Sequence, residues 1–222
     1  MTSIYQRALG SNFARLHPRI QERFGLHSGS GYALRGTGTM DRLWHGPLYT
    51  LPFLYVGTWR SIMFPERGTA VPFTIENYAY VDPLGRETVT WVRTFQAARQ
   101  RRFDAYMIWS EQRGLVVDYL GTHQHLAVDL QMSVAPNGGV QIRSTEQRFY
   151  EGPVAFRFPM FFSGVADVCE WYDDAAACFR IRVEVSNPRW GKLFGYSGSF
   201  QCERVAPEPP TAILPRRVEA RE

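Results

Sequence analysis

Lysine is almost missing from this chain of 222 residues: one lysine, Lys192, stands against many arginines. Imine chemistry on a carbonyl substrate needs a desolvated lysine amine. Lys192 lies in the turn-like segment NPRWGKLFG, so that chemistry is set aside. Cysteine is also scarce. Cys169, Cys178 and Cys202 are an odd number with no CxxC spacing, which excludes a disulfide framework and a structural zinc site. The apolar runs are broken by Pro, Gly or Arg, too short for a membrane-spanning helix. The opening MTSIYQRALGSNFARL has no apolar signal-peptide core, so a soluble, cytoplasmic protein is expected. The net charge is +4, but arginines alternate with acids, and only RQRRF and a PRR near the end cluster. Without a basic stripe or a known module, nucleic acid is not an expected partner.

Motifs of group transfer are lacking as well. Gly36-Thr37-Gly38-Thr39-Met40 has neither the third glycine of a dinucleotide turn nor the lysine of a phosphate loop. Its glycines fit a bent strand or a close backbone approach. No GxSxG occurs, so nucleophilic hydrolysis has no support. His123-Gln124-His125 has the form of a metal-binding HxH, but no histidine follows it. Two histidines with Asp129 or Glu170 would complete a site of the two-His-one-carboxylate type. Strand alternation from Leu126 instead turns both rings outward beside Asp129. No metal and no other cofactor is expected.

What the chain has in quantity is alternation. Ser3 to Gln6 reads as a capping box, followed by an apolar stripe through Ile4, Ala8, Phe13, Leu16, Ile20 and Phe24. Pro18 should divide this stripe into two short helices, giving a helical cap over residues 1–25. A first strand is expected at 32–44 and a kinked apolar helical insertion at 47–63. From residue 71, strand patterns recur at short spacing: 71–81, 87–95, 103–110, 115–120, 124–135, 140–150, 165–173, 179–187 and 194–204. The turns between them are rich in Gly, Asn, Asp and Pro. A meander of about ten strands leaves exposed edges unless it closes. The expected fold is therefore mainly β (α+β): an antiparallel barrel or half-barrel over residues 1–205. The helical insertion follows the first strand, and a loose Pro-rich tail (206–222) ends the chain. That order of elements is similar to lipocalin and fatty-acid-binding-protein barrels, in which a helical lid covers the mouth.

The inward faces are apolar and aromatic, interrupted by single polar groups. TVTWVRTF places Arg93 between Trp91 and Phe95. Asn77 and Glu170 interrupt other apolar faces, Asn187 extends the face of Phe179, and Asp118 fits either face of its strand. A buried charge needs a partner or water. Arg93 would thus be tied to Glu170 or Asp118 as a structural ion pair, or would orient a ligand, for which its planar fork suits a carboxylate or phosphate. In the ligand reading, Arg93, Asn77, Trp91, Phe95, Tyr172, Phe179 and Tyr196 line the site. Glu170 or Asp118, its pKa raised by an apolar wall, would be the acid or base.

The segments FARLHPRIQERF, GTGTM, PFTIENYAYVDPLGRETVTWVRTF, RRFDAYM, DYLGTHQHLAVDL and NPRWGKLFGYSGSF occur here in order. Together they resemble the bacterial family called domain of unknown function 4166, across most of residues 13–202. The resemblance supplies no activity and no catalytic residue. It implies only an occasional association with a nucleotide-binding reductase-like domain, which this chain does not contain. Two functions follow as expectations. One is binding of a small apolar or amphipathic, carboxylate-bearing molecule in a barrel cavity, with or without cofactor-free isomerase, cyclase or hydratase chemistry. The other is a filled accessory domain of an oxidoreductase system.

Overall fold

The N-terminal residues begin as their pattern dictates. In the computed structural model, which describes all residues except 160 and 162, helix α1 (Ile4–Leu9) starts with the Ser3–Gln6 capping box closed in both directions. A 3-10 turn (Gly10–Arg15) leads to α2 (Pro18–Phe24), whose first residue is the proline that ends the preceding turn. The strands that follow are β1 (Ala33–His45), β2 (Gly68–Asn77), β3 (Ala79–Val81), β4 (Glu87–Gln96), β5 (Gln100–Ser110) and β6 (Leu115–Leu120). They continue as β7 (Leu126–Val134), β8 (Val140–Glu151), β9 (Val154–Arg157), β10 (Val165–Asp173), β11 (Cys178–Asn187) and β12 (Gly191–Val205). Between β1 and β2 lies α3 (Leu51–Trp59), the expected insertion.

Ten of these strands close into an antiparallel barrel in the order β10-β11-β12-β1-β2-β4-β5-β6-β7-β8, with β8 pairing back to β10. The outcome is the full barrel rather than the half-barrel. The closing seam is short, running from Asp167 opposite Arg143 to Glu170 opposite Val140. Two strands stay outside the barrel: β3 extends β4, and β9 extends β8. The single strand expected at 71–81 breaks at Tyr78, whose N–H turns to the Thr90 hydroxyl at 2.8 Å. Val81, which strict alternation from Phe73, Ile75 and Asn77 would turn inward, is consequently exposed. Strand β9 lies outside the expected strands: Val154 and Phe156 share a face, but the segment is four residues long and all four are exposed.

The glycines of GTGTM serve close approach. A Cβ on Gly38 would lie 2.1 Å from the Ser199 carbonyl oxygen and 2.5 Å from the Phe200 Cα. Only glycine lets β1 and β12 meet as they do.

The two barrel ends are built differently. Helix α1 packs across β4 to β7, and α2 packs on β10, plugging the end that carries the β5–β6, β7–β8 and β10–β11 turns. Tyr5 and Phe24 enter the barrel from this plug, with ring centroids 5.0 Å apart, and Phe24 meets Trp91 at 5.8 Å. At the opposite end α3 lies over the mouth, pinned at each side. Gly46 N–H donates to the Leu193 carbonyl (2.8 Å) before it, and Asp104 N–H donates to the Ser61 carbonyl (2.8 Å) after it.

The tail is not loose. It crosses the outer wall, where Tyr106, Tyr119 and Tyr150 donate their hydroxyls to the carbonyls of Ile213 (3.1 Å), Arg221 (2.9 Å) and Glu222 (3.1 Å). Those tyrosines belong to a second apolar cluster with Ile108, Val117 and Ala127 on the outward face of β5 to β8. Backbone bonds from proline-rich chain to a barrel wall leave no periodic signal, so the sequence pattern suggested freedom where there is none.

Candidate functional site

The upper half of the barrel, between the plug and α3, is open. A cavity of about 670 Å3 lies there, walled by Leu126, Val128, Leu130, Ile142 and Val183 and roofed by Leu54, Gly57 and Met63. Its volume falls in the range of small-molecule sites. Arg93, Trp91 and Asp118, three residues singled out by alternation, line it. Adjacent ladders place them: Arg93 pairs with Phe103 across β4–β5, and Met107 pairs with Asp118 across β5–β6.

Arg93 is buried, at 4% exposure. Its Nε donates to the Phe103 carbonyl (3.2 Å), one terminal nitrogen donates to the Tyr196 hydroxyl (3.1 Å), and the guanidinium lies 3.9 Å from the Phe103 ring centre. No carboxylate of the described residues comes within 4.0 Å of it. Both ion pairs weighed for Arg93, with Glu170 and with Asp118, are therefore unformed. Asp118 has no cation within 4.0 Å among the described residues, and its Oδ1 is buried without a hydrogen-bond partner. Burial pushes the Asp118 carboxyl up to about 7, against the pull of the Arg93 charge. Burial also raises the Tyr196 phenol, again opposed by Arg93.

Glu170 has a different partner. Arg23, from α2, donates its Nε and a terminal nitrogen to the two Glu170 oxygens. It also donates to Asn77 Oδ1 (2.7 Å) and to the Cys202 sulfur (3.4 Å). Asn77 in turn donates to the Thr90 carbonyl at 2.9 Å. Burial works against the Arg23 charge, but Glu170 holds its pKa above the ordinary value. Burial raises the Glu170 carboxyl, and Arg23 opposes the rise. The set sits at the plug, outside the cavity lining, so Glu170 is not placed to exchange protons with a cavity ligand. Asn77 is taken up in the same set. Tyr172 stacks on His17 (5.1 Å) and Phe179 on Phe200 (5.5 Å). Phe95 packs between Phe64 and Tyr196. Of the nine candidates, Asp118, Arg93 and Trp91 meet at the cavity, Tyr196 supports Arg93 from behind, and the others build its surroundings. Asn187 caps the β11 end, donating to the Phe161 carbonyl at 3.1 Å.

Sequence reading passed over Arg23, although it lies three residues after Ile20 and beside Phe24, on the stripe that α2 buries. It also placed His125 outward. The ring is buried at the mouth, because Gln124 takes φ +54° and reverses the chain before β7 begins. His125 Nε2 receives the Arg60 guanidinium (2.8 Å), and its Nδ1 faces Glu151 (2.8 Å). The ring therefore ties the end of the lid to the rim. Asp129 does not join the histidines; it receives Arg113 and Arg148 on the outer wall. Among the described residues no three His, Cys, Asp or Glu side chains are grouped to hold a metal.

The three polar side chains in the wall between β8 and β10 are spent on that wall. Ser144 accepts from Ala166 N–H (2.8 Å), Gln147 donates to the Gly164 carbonyl (2.7 Å), and Ser163 donates to Gln147. What the cavity offers a ligand is thus an apolar sleeve with a cation, Arg93, and a carboxyl, Asp118, with one unpartnered oxygen, at its inner end. Among the described residues no helix is long and apolar enough to cross a membrane.

No solved structure matches the chain. A curated relative, "Uncharacterized protein YndH" of Bacillus subtilis (strain 168), is 33% identical over 204 residues, covering 91% of this chain and 98% of the relative. The model of a domain of unknown function, DUF4166, matches residues 16–200. The ordered segments, the coverage and the relative agree, and the chain belongs to the DUF4166 family.

Proposed function

We propose that the barrel encloses a small amphipathic molecule, its apolar body in the sleeve and its polar, oxyanion-bearing end on Arg93. The observation that carries this reading is the buried Arg93 guanidinium, without a carboxylate, at the inner end of an apolar cavity. A buried cation of that kind is costly unless something anionic or polar completes it. A filled accessory domain would have no use for such a cavity. The lid between the first two strands supports enclosure in the same way.

A second reading, proton transfer on the bound molecule, is favoured by Asp118. A carboxyl poised at about pH 7 can take a proton from one atom of a ligand and return it to another. Isomerisation, cyclisation and hydration fit this chemistry without a cofactor.

The test is titration with 1-anilinonaphthalene-8-sulfonate, an apolar fluorophore bearing an anion, together with mass spectrometry of molecules that co-purify with the native protein. Saturable binding is expected, lost in Val128→Trp, which fills the sleeve, and about tenfold weaker in Arg93→Met. Circular dichroism reports folding of both variants. Equal binding by a folded Val128→Trp protein would overturn the enclosed site. For the second reading, Asp118→Asn should retain the fluorophore and abolish conversion of the co-purified molecule; unchanged conversion would remove Asp118 from the chemistry.

A further inference from the structure

Helix α3 is an unusual surface helix, because LPFLYVGTW carries no charge and its outer side is apolar. Phe53 is 66% exposed, Val56 68% and Trp59 80%, and Leu48 just before the helix is 77% exposed. Globular surfaces rarely leave so many large apolar groups together unless the patch meets something. Phe53, Val56 and Trp59 also line the cavity, so the patch and the cavity mouth are continuous.

Beside the mouth the outer wall changes character. A groove of about 580 Å3 runs over β11, β12 and β1. Register places Arg182, Ser197 and Arg42 in one row across these strands, and Glu184, Gly195 and Trp44 in the next. Gly195 leaves room for the indole: a Cβ there would lie 2.4 Å from Trp44 Cζ2. Arg42 and Arg182, with Arg67 at the groove edge, have no carboxylate of the described residues within 4.0 Å. The groove's acid, Glu184, is taken by Lys192 at 2.6 Å. Trp190 belongs to both groove and cavity and joins the cationic surface to the apolar one.

We propose that this end of the barrel docks on the surface of an anionic lipid bilayer. Leu48, Phe53, Val56 and Trp59 enter the headgroup–acyl boundary, and Arg42, Arg67 and Arg182 receive lipid phosphates. An apolar aromatic face flanked by unpaired cations is the composition that favours such a surface over a protein groove. Docking so oriented brings the cavity mouth against the membrane; exchange of a cavity ligand with the bilayer rests on the enclosed-site reading above, and docking itself does not.

Flotation of the full chain with vesicles tests this, comparing phosphatidylcholine alone with equal parts phosphatidylcholine and phosphatidylglycerol. The protein is expected to float with the anionic vesicles. The double variant Phe53→Ser/Trp59→Ser should lose flotation, and Arg42→Ser and Arg182→Ser should each weaken it about fivefold. The cavity-filling Val128→Trp variant should still float, which separates failure of docking from failure of the enclosed site. Three results would overturn the proposal: no flotation with anionic vesicles; flotation of the folded double variant equal to wild type; or a stable dimer in sedimentation equilibrium that the double variant dissolves, which would assign the patch to a second copy of this chain.

Discussion

Arg23 and Arg93 are both buried in one barrel, and their surroundings differ sharply. Arg23 meets a carboxylate, an amide oxygen and a sulfur, with the Phe200 ring at 5.0 Å. Arg93 meets a carbonyl, a phenol and a ring, while Asp118, the acid in its field, keeps one oxygen unpartnered. The first set is complete within the protein and joins the helical plug to the wall. The second lacks a carboxylate within 4.0 Å among the described residues and faces the cavity. Two arginines of similar burial thus differ in whether a carboxylate reaches them, and under the proposal above that difference separates a structural ion pair from a ligand anchor.

Breaking the complete set should cost most. Glu170→Leu leaves Arg23 buried without its counter-charge and should lower stability by about 3–5 kcal/mol, read from the urea midpoint. A loss within experimental error would mean that the pair does not hold the plug. Asp118→Asn should act in the opposite sense. Because the folded-state pKa of Asp118 lies above the unfolded value near 4, the native state holds a proton that the unfolded chain releases. This contribution to stability is full at low pH, falls as pH rises from about 4 to about 7, and is flat above. Asp118→Asn removes the fall, so the variant should gain on wild type across that window, by on the order of 4 kcal/mol at pH 8. A pH-independent difference between the two would remove the buried titration. Arg93→Met sharpens the comparison, since it takes away the charge that opposes Asp118's rise. The upper end of the wild-type pH window should move above about 7, with little change in stability at low pH. The smallest effect belongs to the lid: Arg60→Ala removes one bond to His125 and should cost no more than about 1 kcal/mol. It should speed amide exchange in α3 while leaving α2 unchanged.

Much of the scaffold could be read from residues alone. Period-two apolar faces and Gly, Asn and Pro turns located the barrel strands within a few residues, and the same parity put Arg93 and Glu170 inside. Asp118, undecided by parity, faces in because its β6 neighbours Val117 and Tyr119 belong to the outer tyrosine cluster. Parity says which face a side chain takes, but not which of several inward groups it reaches. Glu170 therefore found Arg23, a helix residue brought in from 147 positions away. Parity also fails where the backbone turns over, as at Gln124, and where a strand has no buried face, as in β9. The tail escaped notice for a related reason: three of its anchors are the backbone carbonyls of Ile213, Arg221 and Glu222, a group that every residue has.

The ladder between β1 and β12 carries a consequence for folding kinetics. It joins Ala33 to Val205 and His45 to Phe194, nearly opposite ends of the chain. Pairing of such distant segments is slow, because loop closure is opposed by chain entropy before contacts reward it. Until that ladder forms, neither buried arginine has an interior to occupy. Gly38, which lets the two strands approach, thereby bears on the late step that creates an inside, and Gly38→Ala should slow refolding as well as weaken the native state.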